Sequence, residues 1–196
     1  MTATFDATWY DRVMVELDSP AMLPLEDSPW LTTYTEVAQM IDPNEEVVDL
    51  GCGTGRFIRL LYERGHYGRI TGVDWSAAAL AEAERYVSRT EPVWVLGDLA
   101  QWRPDPLRAG NTVYVCLEVL EHLEDDRELV RRIPPGHRLI FSVPNFDSES
   151  HLRVFRSLRE IWHRYEGLLA FRRWIMVGSD RQGLHICETR RRADSW

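Results

Sequence analysis

Two stretches of this sequence carry side chains that could do chemistry. Between Cys116 and Leu123 the chain reads Cys-Leu-Glu-Val-Leu-Glu-His-Leu. Glu118, Glu121 and His122 are spaced i, i+3 and i+4, so one helical turn would aim all three at one point. With His151 they make two carboxylates and two imidazoles. His122 and His151 are the candidate catalytic groups, as general bases, because an imidazole titrates near neutral pH. The same four groups form a mixed oxygen and nitrogen donor set suited to Mg²⁺, Mn²⁺, Fe²⁺ or Zn²⁺. A plainer alternative is that His122 only packs or hydrogen-bonds within its loop.

The second stretch is Val47-Val48-Asp49-Leu50-Gly51-Cys52-Gly53-Thr54-Gly55. Gly51, Gly53 and Gly55 lack a Cβ, so a tight turn there would let a ligand lie on bare backbone. The glycines alternate, and Arg56 occupies the place of the last glycine in the dinucleotide pattern G-x-G-x-x-G. Asp49, two residues before the first glycine, would repel a pyrophosphate but could meet an ammonium group. This combination suits a ligand with an amino-acid end and a nucleoside end.

The elements that must position these groups alternate between strand and helix. Val47, Val48 and Leu50 suit a strand covered on both faces, and Arg56–Leu61 returns apolar residues at helical spacing. Before them, Trp30–Ile41 reads as an amphipathic helix with Ser28 as N-cap and Pro29 at its first position. Arg69–Val73 is a second strand ending at Asp74, and Ser76 can cap a helix over Ala77–Tyr86. Val93–Leu96, Thr112–Leu117 and Leu139–Val143 are further strands. Leu152–Tyr165 has helical spacing, and Phe171–Val177 with Leu184–Thr189 reads as a terminal hairpin.

These residues together resemble the class I S-adenosylmethionine (SAM) methyltransferases, over residues 47–123 and on to Ser142-Val143-Pro144-Asn145. The D-x-G-x-G-x-G string is similar to that family's first motif, and the Glu-Val-Leu-Glu-His segment to one seen in many of its members. The resemblance implies a Rossmann-like α/β fold, a mostly parallel seven-stranded sheet with a C-terminal antiparallel hairpin and helices on both faces. It implies SAM as cofactor, held by Asp49, Gly51, Cys52, Gly53, Gly55, Asp74, Trp75, Asp98, Leu99 and Glu118. In that scheme Asp74 accepts the ribose hydroxyls, Trp75 lies against the adenine, and Asp98 with Leu99 reads the adenine edge. Gln101 and Trp102 would wall its pocket. Trp75 could equally be core, and Ser76 is read as a helix cap alone. The four groups Glu118, Glu121, His122 and His151 are also similar to the metal quartet of the RNA-end 2′-O-methyltransferases, although the fourth ligand's spacing departs from that pattern.

Composition narrows the partners. The chain has 196 residues, which suits a single methyltransferase domain, 1–196: an N-terminal lid or helical segment over 1–41, a SAM-binding core over 45–145, and a substrate-side helix with the terminal hairpin over 146–196. Aromatic Trp9 and Tyr10 within Met1–Leu25 would fold over the cofactor as a lid or merely cover apolar surface. A net charge of −8 argues against unaided nucleic-acid binding, so the expected partner is a small-molecule methyl acceptor. All basic side chains are arginine, which excludes a Schiff-base or Walker lysine within the chain. Arg153, Arg156, Arg159 and Arg164 on one helix could hold an anionic acceptor or simply be solvated, and Tyr10, Trp30, Tyr34 and Phe146 could form its apolar pocket. Cys52, Cys116 and Cys187 show no metal-like pairing, and no early apolar run has a signal peptide's form; a soluble cytoplasmic protein with no membrane contact is expected. Oligomeric state is not readable. The leading expectation is methyl transfer to oxygen or nitrogen of a small molecule, with a metal-assisted RNA-end 2′-O-methyltransferase and a non-catalytic SAM-binding module as the alternatives. Binding of NAD is not expected.

Overall fold

The computed structural model describes residues 19–88, 91–104 and 111–193. Tyr10, Trp9 and most of the expected N-terminal lid lie outside them.

Seven strands form one sheet in the order β3-β2-β1-β4-β5-β7-β6. The strands are β1 (Glu46–Leu50), β2 (Ile70–Asp74), β3 (Val93–Leu96), β4 (Thr112–Leu117), β5 (Arg138–Pro144), β6 (Leu169–Gly178) and β7 (Gly183–Arg191). The first five run parallel, with β1 between β2 and β4. β7 pairs antiparallel with β5, and β6 antiparallel with β7, so the expected hairpin closes the sheet. Asn145 fixes its turn: the side-chain amide donates to the Ser179 carbonyl and the side-chain oxygen accepts the Gly183 amide.

Apolar residues of opposite parity divide between the two sheet faces, as the two-residue period requires. Val47, Val113, Val115 and Ile140 pack with α1 (Leu31–Ala38), α2 (Arg56–Glu63) and α3 (Ala77–Val87). Val48, Tyr114, Cys116, Leu139 and Phe141 pack on the other side with α4 (Asp126–Arg132) and α5 (Leu158–Tyr165). Both faces are therefore covered, which is why the central strands read as nearly continuous apolar runs.

Two helical expectations need correction, and one helix is additional to them. Ser28 does not cap a helix at Pro29; its hydroxyl accepts the Trp30 amide, and α1 starts at Leu31 and stops at Ala38. The helix expected over Leu152–Tyr165 begins only at Leu158, because Ser157 is extended and its hydroxyl caps the Glu160 amide. Residues 152–156 instead form a strap whose backbone and side chains bond to the loop after β4. The seven-residue α4 has no strong period of its own and was not expected.

Candidate functional site

The carboxyl ends of β1, β2, β3 and β4 share one edge of the sheet, and the crossover from β1 to β4 makes the switch point where open α/β sheets bind ligands. The turn after β1 passes through Gly51, Gly53 and Gly55 with φ of 81°, 50° and 77°. A Cβ on Gly51 would stand 2.4 Å from Val119 Cγ2, so the loop after β4 leaves room for glycine alone. A Cβ on Gly55 would lie 3.0 Å from that of Ala83, where α2 starts against α3.

Asp74, 3% exposed at the end of β2, holds this turn. Its Oδ2 accepts the Gly53 amide at 2.8 Å and its Oδ1 the Ser76 amide at 2.9 Å. Ser76 in turn caps α3 through the Ala79 amide, as expected. Cys52 contributes its backbone, donating to the Val73 carbonyl at 3.1 Å. Burial pushes its thiol well up, so the side chain is a packed apolar group.

Asp49 is also 3% exposed. Burial, with the Asp74 charge second, pushes its carboxyl up to about 8. Tyr34 lies in the same neighbourhood: burial raises its phenol, and the charges of Asp49 and Glu118 add to the shift. Three carboxylates thus surround one glycine turn, an environment that a cationic ligand group would relieve. Trp75 is 37% exposed beside them, so it is not core. Asp98 is exposed, with Oδ1 accepting the Ala100 amide at 2.8 Å, whereas Leu99 points into the core. Trp102 packs edge-on against buried Tyr114, with centroids 6.1 Å apart.

The loop after β4 departs from the expected single helical turn. Glu118 has φ of 56° and bonds Ser142, whose hydroxyl donates to Glu118 Oε1 at 2.7 Å and accepts the Glu118 amide at 3.0 Å. Only Leu120–His122 forms a short 3₁₀ turn. Glu118 is therefore turned toward β5, while Glu121, His122 and His151 come together, with one donor atom of each within 4.8 Å of the others. Burial raises the Glu118 and Glu121 carboxyls and lowers both imidazoles. The two rings meet edge to face at 5.0 Å.

The strap after β5 builds this cluster. His122 Nδ1 lies 2.9 Å from the Ser150 carbonyl, and His151 Nδ1 lies 3.2 Å from that of Phe146. A carbonyl only accepts, so Nδ1 carries the proton in both rings and both Nε2 atoms keep a lone pair. The Leu152 amide donates to the Glu121 carbonyl at 2.9 Å. Arg153 donates to the carbonyls of Leu120, Leu123 and Glu124, and Arg164 makes a two-point pair with Asp126. Two of the four arginines proposed for an anion are thus committed elsewhere. Of the proposed apolar pocket, Tyr34 contacts Phe57 and Phe146 contacts His151.

Sequence reading missed one anchoring set. Thr54 Oγ1 donates to the Ala21 carbonyl and Arg56 Nε to that of Leu23, while the Arg56 guanidinium lies 3.7 Å from the centre of the Tyr86 ring. The Tyr86 hydroxyl accepts the Leu25 amide. Residues 21–25 are fixed to the outside of the glycine turn in this way. The residue at the broken dinucleotide position, Arg56, was the available signal.

A sheet of this order with a glycine turn at its switch point defines the class I SAM-dependent methyltransferase fold. Residues 47–134, a little under half of the chain, match the family model described as methyltransferase domain. Among curated relatives, the trans-aconitate 2-methyltransferase of Azoarcus sp. (strain BH72) is 35% identical over 127 residues, 62% of this chain and 48% of that protein. The chain spans about half the length of the curated relatives it matches. Among solved structures, the N-methyltransferase NodS from Bradyrhizobium japonicum WM9, in complex with S-adenosyl-l-homocysteine (SAH), has a TM-score of 0.68 at 19% identity and covers 94% of this chain and 97% of its own. Magnesium protoporphyrin IX methyltransferase from Synechocystis PCC 6803 with bound SAH also scores 0.68, at 20% identity and 97% of both chains. Both likenesses concern the fold. No helix among the described residues is long and apolar enough to cross a membrane.

Proposed function

We propose that this chain transfers a methyl group from SAM to an oxygen or nitrogen atom of a small-molecule acceptor. The observation that carries the reading is the glycine turn pinned by Asp74 beside a buried, unrelieved Asp49. A turn that excludes side chains suits a nucleoside ligand on bare backbone, and Asp49 suits the ammonium of its amino-acid end. Asp74, which accepts the Gly53 and Ser76 amides, is the carboxylate suited to the ribose hydroxyls. Trp75 offers a partly exposed ring to the adenine, and the Asp98 side chain and Leu99 backbone are the groups suited to read its edge. Cys52 takes part through backbone only, and Glu118 closes the site from β4.

SAM supplies an already activated methyl on a sulfonium, so the protein's work is to align the acceptor and exclude water. His122 and His151, each with a free Nε2 lone pair, are the groups suited to take a proton from a hydroxyl or ammonium acceptor.

Support for a small acceptor comes from the net charge of −8, which disfavours a nucleic acid, and from relatives named for trans-aconitate. Arg56, Arg153 and Arg164 are committed within the protein, so an acidic acceptor such as trans-aconitate would have to be met by other arginines. The three cysteines are free and buried, which fits a reduced cytoplasmic setting.

The test is calorimetric SAH binding, followed by a screen of small hydroxyl, amine and carboxylate acceptors with radiolabelled SAM. Tight SAH binding with transfer to one acceptor class is expected. Binding without transfer to any acceptor would favour a SAM-binding module, and no binding would overturn the reading.

A further inference from the structure

We infer that Glu121, His122 and His151 form a binding site for one divalent first-row transition cation, of the Zn²⁺ class, with further positions open to solvent. An ion held there would occupy the Nε2 lone pairs of His122 and His151, so it would replace their role as bases in the methyl-transfer reading rather than add to it.

The donor set comes first. One carboxylate and two imidazoles converge with one donor atom each within 4.8 Å, and His122 Nε2 stands 3.8 Å from Glu121 Oε1. Two donors on a tetrahedral ion with bonds of about 2.0–2.2 Å stand roughly 3.3 Å apart, so closure needs shifts of an ångström or less on that pair. Two imidazoles with one carboxylate suit Zn²⁺, Fe²⁺ or Co²⁺, whereas Mg²⁺ and Ca²⁺ prefer all-oxygen sites.

The orientation of the rings is the second observation. Both Nδ1–H groups are spent on backbone carbonyls, those of Ser150 and Phe146. Metal-bound histidines are characteristically oriented in this way, with the second nitrogen fixed by a carbonyl or carboxylate. The fixing partners belong to the strap after β5, itself tied to the β4 loop through Leu152 and Arg153, so the site is built before any ion arrives.

Glu121 provides the third and independent observation. Its side chain is 0% exposed, and neither carboxylate oxygen has a hydrogen-bond partner among the described residues. Arg153, which could have neutralised it, is turned onto carbonyls and sits 3.9 Å from Asp126 instead. A buried carboxylate without a donor is costly unless something binds it, and a cation shared with the adjacent imidazoles would satisfy it. His122, 37% exposed, gives the ion a path from solvent.

The test is calorimetry of the whole chain, stripped with chelator, against Zn²⁺, with Co²⁺ absorbance as a second readout. One equivalent should bind at micromolar or tighter concentration, raise Tm, and give Co²⁺ a low-coordinate visible spectrum, while Mg²⁺ does none of these. His151→Ala and the near-isosteric Glu121→Gln should each weaken Zn²⁺ by about tenfold or more. His163→Ala, an exposed histidine paired with Glu166 on α5, should leave it unchanged. Zn²⁺ binding that is absent, or that survives both site variants, would overturn the inference. A Glu121→Gln protein that loses apo stability but keeps Zn²⁺ affinity would do so as well. None of these readouts involves SAM, so the outcome is separate from that of the methyl-transfer test.

Discussion

The Asp74 carboxylate accepts the Gly53 amide hydrogen at 2.8 Å, so the acid that ends β2 holds the turn that follows β1. With the Ser76 amide on its other oxygen, one side chain joins the glycine turn to the cap of α3. The position expected to bind ribose is therefore also structural, and the two roles can be separated by measurement.

Asp74→Ala should strand the buried Gly53 and Ser76 amides and cost roughly 1–3 kcal/mol of stability. SAH affinity should fall by about tenfold or more, from the disordered turn and the lost ribose acceptor together. Asp74→Asn keeps one acceptor oxygen and should recover part of the stability but little of the affinity. Urea unfolding and calorimetry on both variants check this; equal recovery of both quantities would mean the ribose role is absent.

Gly51→Ala tests the turn from the opposite side. It introduces a side chain at φ of 81° and places its Cβ 2.4 Å from Val119 Cγ2. The backbone term should cost about 1–2 kcal/mol and the overlap about 1–3 kcal/mol more. Adding Val119→Ala removes the overlap but not the dihedral strain, so the double variant should regain only the packing part. Full recovery would show that the conformation itself costs little.

Much of this architecture was legible because it rests on local, repeated signals. The apolar runs of β1, β4 and β5, the alternating glycines and the Ser76 cap each depend on residues a few places apart. Glu118 was not legible in the same way. Its spacing to Glu121 and His122 is helical, yet its backbone takes φ of 56°, and the group that explains this, Ser142, lies on β5. Likewise Leu152–Tyr165 has helical spacing throughout, but Arg153 gains three carbonyl acceptors from the β4 loop by leaving the helix. Contacts between strand ends decided the site, and a one-dimensional pattern does not carry them.

Asp126 offers a stability test away from the glycine turn. Burial alone would raise its carboxyl, but the Arg164 pair and the Tyr165 hydroxyl, with Arg153 nearby, hold it below its ordinary value. A depressed folded value contributes stability that is present above the unfolded value and lost as pH falls through the folded one. Asp126→Asn should cost roughly 1–3 kcal/mol at pH 7 and should flatten the acid limb of the stability curve below pH 4. An unchanged acid limb would place the acid-sensitive group elsewhere.

Asp49 should show the opposite sign. Its carboxyl is raised from 3.8 to about 8, chiefly by burial, so the native state holds a proton that the unfolded chain releases. The associated stability is full below the unfolded value and is lost as pH rises through the folded value. Asp49→Asn keeps the shape without an ionisable group, so it should match the wild type near pH 3, gain on it from about pH 4 upward, and exceed it by roughly 1–3 kcal/mol or more at pH 9. Ligand binding should invert that advantage. An ammonium beside Asp49 favours the carboxylate, so SAH binding near pH 6.5 should release close to one proton, and affinity should rise toward pH 8 before levelling. Calorimetry in buffers of different ionisation enthalpy reads the proton directly. Asp49→Asn should bind more weakly and lose this pH dependence; an intact dependence in the variant would assign the proton to another group and remove Asp49 from the ammonium site.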